Sequence, residues 1–166
     1  MVSPRPRDRW RDVVFAAIVI GVSLLDQLTK AWIRHHLAVG DVLFDAGIFR
    51  IVHVQNTGAA FGIFKGIPWV FAAIEVIAFL AIFYLVVFLR RKWAFLDLWT
   101  VRIGASLVMA GTVGNFIDRI FFSGNVTDFI DFKVWPVFNV ADSSAVVGSI
   151  ILAIAIVFQL KTDKQE

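Results

Sequence analysis

The sequence predicts an all-α membrane protein, a bundle of four transmembrane helices with a small β-sheet on its extracytoplasmic side. Three observations carry this prediction. The chain of 166 residues is 59% hydrophobic and 17% charged, with a mean hydropathy of +0.80, more apolar surface than a soluble domain of this length can bury. Its apolar residues fall into four runs, about 13–33, 68–89, 98–122 and 138–160, each near the roughly 20 residues that cross a hydrocarbon core. The basic residues collect in the intervals that lie on one side of such a four-span chain.

Arg5, Arg7, Arg9 and Arg11 precede the first span, Arg90, Arg91 and Lys92 fill the short gap between the second and third, and Lys161 and Lys164 follow the fourth. The positive-inside rule makes that side cytoplasmic, with both termini there. The pI near 9.6 therefore reports topology, and no nucleic-acid partner is expected. The first span is longer than a signal-peptide apolar region of ~7–15 residues, lacks an A-x-A site and ends in the polar "LLDQLTKAW", so it is expected to be retained. A single domain over 1–166 follows.

Two segments, about 34–67 and 123–137, lie on the extracytoplasmic side. The first contains "DVLFDAGIFRIVHVQNTGAAFGIF", where β-branched and aromatic residues mix with Gly and Asn turn signals, which predicts a small sheet. Strand alternation would put Phe49, Ile51, His53 and Gln55 on one face and Arg50, Val52 and Val54 on the other. The second segment is expected as a loop. Trp10, Trp32, Trp69, Trp93, Trp99 and Trp135 each stand near a span end, as an interfacial aromatic belt requires.

The polar residues of the spans converge on one level. Asp26 and Lys30 lie in the last third of the first span, Asn115, Asp118 and Arg119 in the last third of the third, and Asn139 and Asp142 in the first turns of the fourth. All seven reach the outer interface, from three helices. Ionisable groups in membrane spans are costly and usually face a bundle interior or a watery cavity. Asp26 and Lys30 have the acid N-terminal at i,i+4, the favourable order for an ion pair. Gly104, Gly111, Asn115 and Asp118 share a narrow sector of the third span, and Ala141, Ala145 and Gly148 make a similar stripe on the fourth, where small residues let backbones approach. Glu75 and Arg102 sit deeper and have no evident role.

The absence of cysteine removes disulfides, thiolate sites and a Cys nucleophile. His35, His36 and His53 have no ligand spacing for a metal, and neither a G-x-S-x-G turn nor a placed histidine accompanies Ser143 or Ser144. No phosphate loop or cofactor motif is present. Carboxylates remain: two Asp residues sharing one water can hydrolyse an amide if one is ionised and the other protonated. Asp142 could meet an acid of the preceding loop, and spacing alone does not choose between Asp128 and Asp131.

The stretches "LDQLTK" (25–30), "NTGAAFG" (56–62), "GNFIDR" (114–119), "VTDFI" (126–130) and "FNVADSSAVVG" (138–148) occur in that order across the four spans. Together they resemble the bacterial lipoprotein signal peptidases (signal peptidase II), over about residues 13–160. The resemblance implies an aspartyl endopeptidase of the inner membrane, acting without a cofactor. Its substrates would be diacylglyceryl-modified prolipoproteins, cut just before the lipidated cysteine. It implies Asp128 and Asp142 as the catalytic pair, and Asp26, Lys30, Asn56, Gly58, Asn115, Arg119 and Asn139 as residues that line or brace the site. The first outer segment would form a cradle and a mobile loop over the substrate. Gln55, where an aromatic is common, and Ala145, where a larger aliphatic is usual, depart from the pattern without touching the acid pair. Membrane lipids and prolipoproteins are the expected partners of a monomer. A small ion or proton-coupled transporter using the intramembrane Asp and Lys residues is the alternative, and a non-catalytic scaffold a third reading; the transporter predicts ionisable groups spread through the bilayer depth.

Overall fold

The computed structural model describes residues 6–58 and 68–162. Arg5, Lys164 and residues 59–67, which include the second half of "NTGAAFG" and the last part of the first outer segment, lie outside the described residues. The elements run α1 (Pro6–His36), β1 (Val42–Asp45), β2 (Arg50–Asn56), α2 (Pro68–Val87), two short 3-10 turns (Leu89–Arg91 and Ala94–Asp97), α3 (Trp99–Phe121), β3 (Val126–Asp131) and α4 (Val140–Thr162). All four α-helices are long and apolar enough to cross a membrane. Helix α1 extends past its apolar run at both ends, because its first turns and its Arg34–His36 terminus are polar.

Half of α3's most apolar stretch is buried, against 11–17% for the other three helices, so α3 is the axial helix and the rest turn apolar flanks outward. Glycines set its approach to α4. A Cβ on Gly148 would stand 2.6 Å from the Gly104 carbonyl oxygen, and one on Gly111 would stand 2.3 Å from that of Ala141. The two backbones are therefore in direct contact, the geometry that small residues permit between membrane helices.

A three-stranded antiparallel sheet, ordered β1-β2-β3, lies at one end of the bundle. Two expectations are corrected here. The segment after α3 is not a plain loop: its residues 126–131 form the third strand, because the β-branched and aromatic run "VTDFID" pairs with β2. The alternation of 49–55 is also broken. A bulge between Ile51 and Val54 shifts the β2–β3 register, so the consecutive Val52 and His53 are both buried, as an extra residue in one strand demands. The buried His53 sets its Nδ1 2.8 Å from the Leu37 carbonyl oxygen, pinning the sheet to the end of α1.

The opposite end of the bundle holds an ion-pair network. Arg102, 2% exposed, reaches Asp12 at 2.5 Å and Asp97 at 3.2 Å. Arg90 also pairs with Asp12, and Arg11 with Asp97. The 3-10 turn before α3 delivers Asp97 to this cluster. Arg102 thus has an assigned place: it ties α3 to α1 and to the turn that enters α3.

Candidate active site

The site begins with a reciprocal cap. The Asp142 N–H donates to Asn139 Oδ1 at 2.8 Å, and the Asn139 N–H donates to Asp142 Oδ2 at 3.1 Å. This is a capping box built from Asn and Asp, which satisfies free N–H groups in the first turn of α4 and holds a carboxylate at the positive end of the helix. With its oxygen committed to the cap, the Asn139 amide nitrogen points away from α4 and donates to Asp128 Oδ1 at 2.7 Å. Asn139, fully buried, therefore touches both acids.

Asp128 arrives on β3. That strand is registered against α4 by Phe138, whose carbonyl accepts from the Phe129 and Ile130 N–H groups and whose N–H returns to the Ile130 carbonyl. On its other side, Asn56 at the end of β2 donates from Nδ2 to Asp128 Oδ2 at 2.8 Å. The Asn56 oxygen accepts from the Gly58 N–H at 2.8 Å, which fixes the amide's orientation. Asp128 is 1% exposed, whereas Asp142 is half-buried and forms the open side of the pair.

Behind Asp142 stands a brace from α1 and α3. Lys30, fully buried, lies 2.8 Å from Asp26 and donates to Asn115 Oδ1 at 2.9 Å. The cation on that oxygen turns Asn115 Nδ2 toward Asp142 Oδ1, 2.8 Å away. Asp26 accepts from the Ala141 N–H at 2.8 Å, anchoring the first turn of α4 to α1. A Cβ on Gly114 would meet Asp26 Oδ2 at 2.6 Å, so that position must stay bare for the anchor to fit. Asp118 accepts from the Thr127 N–H at 2.8 Å and faces Arg34 at 3.3 Å, which locks β3 onto α3 one residue before Asp128.

The electrostatics follow from this placement. Among the described residues neither Asp128 nor Asp142 has an ion pair; each carboxylate is held by neutral amides. Burial pushes the Asp128 carboxyl up from its ordinary 3.8 to about 7, and the neighbouring Asp142 charge pushes the same way. The Asn56 and Asn139 donors and the Lys30 charge oppose the rise without cancelling it. Asp131 differs in kind. Its carboxyl is held below the usual range by the Lys133 N–H and by Arg50, at the C-terminal end of β3.

The structure brings together Asp26, Lys30, Asn56, Asn115, Asp128, Asn139 and Asp142 in one hydrogen-bonded cluster. Gly58 joins it through its N–H, and Arg119 stands to one side, bonded to Glu75 at 3.0 Å and to the Gly124 carbonyl at 3.2 Å. Sequence reasoning overlooked Gln27, which donates to the Gly114 carbonyl and to Asp118, and Arg34, which also bonds the Thr127 hydroxyl. Arg34 was findable: Asp26, Lys30 and Arg34 recur every four residues and share a face of α1.

Fold and site together define a multi-pass membrane protein with two carboxylates, bridged by Asn139, where a small sheet meets the bundle. A family model described as signal peptidase (SPase) II matches residues 18–158, and the chain belongs to that family of peptidases. It is 46% identical over 139 residues to a lipoprotein signal peptidase of Dehalococcoides mccartyi (strain CBDB1), covering 83% of this chain and 84% of the relative. It is 38% identical over 154 residues to one of Clostridium acetobutylicum (strain ATCC 824), covering 90% and 95%. A bacterial membrane enzyme solved by the in meso method at 2.3 Å superposes with a TM-score of 0.79 at 32% identity, covering 92% of this chain and 93% of that one. A second, solved at 1.9 Å, gives 0.73 at 34% identity, covering 86% and 92%. Family membership displaces the transporter reading weighed from the sequence.

Proposed function

We propose that this protein removes the signal peptide from diacylglyceryl-modified bacterial prolipoproteins, cleaving before the lipidated cysteine, with Asp128 and Asp142 as an aspartic catalytic pair. The observation that carries this reading is the Asn139 bridge, one amide side chain and its own N–H holding two carboxylates that have no ion pair among the described residues. Two such acids share a proton, because like charges at close range do not both ionise in a buried site. Asp128 keeps that proton to about pH 7, leaving Asp142, on the open side, as the base.

A water between them then attacks the scissile carbonyl. Its proton passes to Asp142 while Asp128 donates to the carbonyl oxygen, giving a neutral gem-diol. In the second half Asp142 returns its proton to the leaving nitrogen, Asp128 takes back a hydroxyl proton, and the C–N bond breaks. The roles are general acid and general base throughout, with no covalent intermediate. Asp26, Lys30 and Asn115 hold Asp142, Asn56 and Gly58 hold Asp128, and Arg119 is left to brace the sheet end of α3.

A lipid-anchored substrate stays in the bilayer, so its cleavage point has to be met at the interface. The basic residues at the end away from the sheet support an inner-membrane orientation with both termini cytoplasmic and the acids on the extracytoplasmic face. Acyl-chain burial would supply much of the binding, roughly 0.8 kcal/mol per methylene. The test is cleavage of a diacylglyceryl-modified prolipoprotein by the purified protein in detergent. Cleavage before the cysteine, lost in both Asp→Asn variants, is the expected result; full turnover by either variant would remove the pair assignment.

A further inference from the structure

Glu75 and Phe71, one turn apart on α2, are not absorbed by the account above. Their surroundings form a continuous packed path to Asp128. Arg119 Nε donates to Glu75 Oε1 at 3.0 Å, and the Arg119 guanidinium lies over the Phe71 ring, 5.4 Å from its centroid. Phe71 packs against the backbone of Gly58. A Cβ built on Gly58 would stand 2.3 Å from the ring's Cδ2 and 2.5 Å from Cε2, and the residue has φ +90°. Only glycine combines that conformation with that approach. The Gly58 N–H then orients the Asn56 amide, whose nitrogen donates to Asp128.

We propose that Phe71 and Glu75 are positioning residues for the acid pair: with Arg119 they clamp the Asn56–Gly58 turn, and through Asn56 they fix the Asp128 carboxyl. This rests on the peptidase reading above and extends it to a helix that contributes no member of the pair. The rival is that the Glu75–Arg119 pair only fastens α2 to α3. The two differ in what they do to Asp128. Among the described residues the charged groups around Asp128 are Lys30 of α1 and Asp142 of α4, with Asp118 of α3 bonded to the preceding residue, while β2 contributes the neutral Asn56. Around Glu75 they are Arg119 of α3, Lys30 of α1 and Asp142 of α4. The Asn56 donor favours the ionised form of Asp128, so a slack turn makes Asp128 hold its proton to higher pH.

The experiment is the pH dependence of kcat for the full chain in detergent, with a diacylglyceryl-modified prolipoprotein as substrate, alongside the Tm of each variant. Phe71→Ala is expected to lower kcat about tenfold, the scale of one lost hydrogen bond, and to move the alkaline limb upward. Asn56→Ala should move it in the same direction, and the Asn56→Ala/Phe71→Ala double variant should add little, because both act through one contact. Glu75→Leu should behave as Phe71→Ala does, and Glu75→Gln, which keeps an acceptor for Arg119, should restore most of the loss. If Phe71→Ala does not fold, Phe71→Leu keeps the burial without the ring and should show the same upward shift. A lowered Tm with an unmoved alkaline limb, or full additivity with Asn56→Ala, would overturn the proposal. Failure of the wild-type chain to cleave would instead overturn the peptidase reading beneath it.

Discussion

At the end of the bundle away from the sheet, Arg102 is buried between Asp12 and Asp97, and Arg90 and Arg11 complete the cluster. At the sheet end, Asp128 is as deeply buried as Arg102 and Asp142 is half-buried beside it, yet their hydrogen-bond partners are Asn56, Asn115 and Asn139. Lys30, a cation beside that pair, is committed to Asp26 and Asn115. The contrast separates two uses of buried charge. Where acids meet arginines directly, opposite charges face each other and the cluster fastens helices together. Where neutral amides hold an acid, geometry is fixed but the charge is not compensated, so a proton remains available near pH 7.

Substitutions at the two ends should therefore differ in kind. The largest effect belongs to the uncompensated acids. Asp128→Asn and Asp142→Asn should each lower kcat by about 10²–10⁴-fold, the span of general acid–base catalysis, with little change in Tm. A steady-state cleavage assay checks this, and a comparable loss in Asp12→Asn would erase the distinction between the ends. Asn139→Ala comes next. It leaves two acids short of a donor and removes the α4 cap, so a loss of about 10–100-fold in kcat is expected together with a lower Tm.

Arg102→Met should do the reverse, lowering stability by about 1–3 kcal/mol with kcat per folded molecule preserved. The figure is at the modest end because Asp12 and Asp97 are partly exposed and keep Arg90 and Arg11. Thermal unfolding in detergent is the readout. Asp131→Asn should have the smallest effect, within about twofold in activity, because Asp131 faces Arg50 rather than the pair. Its carboxyl is depressed in the fold, so its contribution is present above the ordinary carboxylate range and fades as pH falls through the lowered value. Asp131→Asn should therefore flatten the acid side of the Tm-against-pH curve.

The four helices were legible because hydrocarbon imposes a length and a composition that few other folds share. The convergence of Asp26, Lys30, Asn115, Asn139 and Asp142 was legible from helix depth alone. The choice between Asp128 and Asp131 was not, since a loop gives no facing. Seen as a strand, "VTDFID" separates them at once, because positions three apart in a strand point to opposite faces. The short β3 escaped notice because its partner, β2, lies about 70 residues upstream and strand pairing over that distance leaves no local signal. The bulge that buries both Val52 and His53 was equally hidden, being set by register with β3. Glu75 found no partner on paper because Arg119 lies on another helix, and only the packing of α2 on α3 brings them together.

The most direct test is whether Asp128 carries a proton near neutrality. An infrared pH titration of the purified protein in detergent, taken as the difference between wild type and Asp128→Asn, isolates its carboxyl. A protonated-carboxyl band that disappears with a midpoint near pH 7 in the wild type and is missing from the variant is the expected result. A difference spectrum in which the Asp128 band disappears with a midpoint near the ordinary value of about 4, leaving it ionised at neutrality, would contradict the shared-proton account.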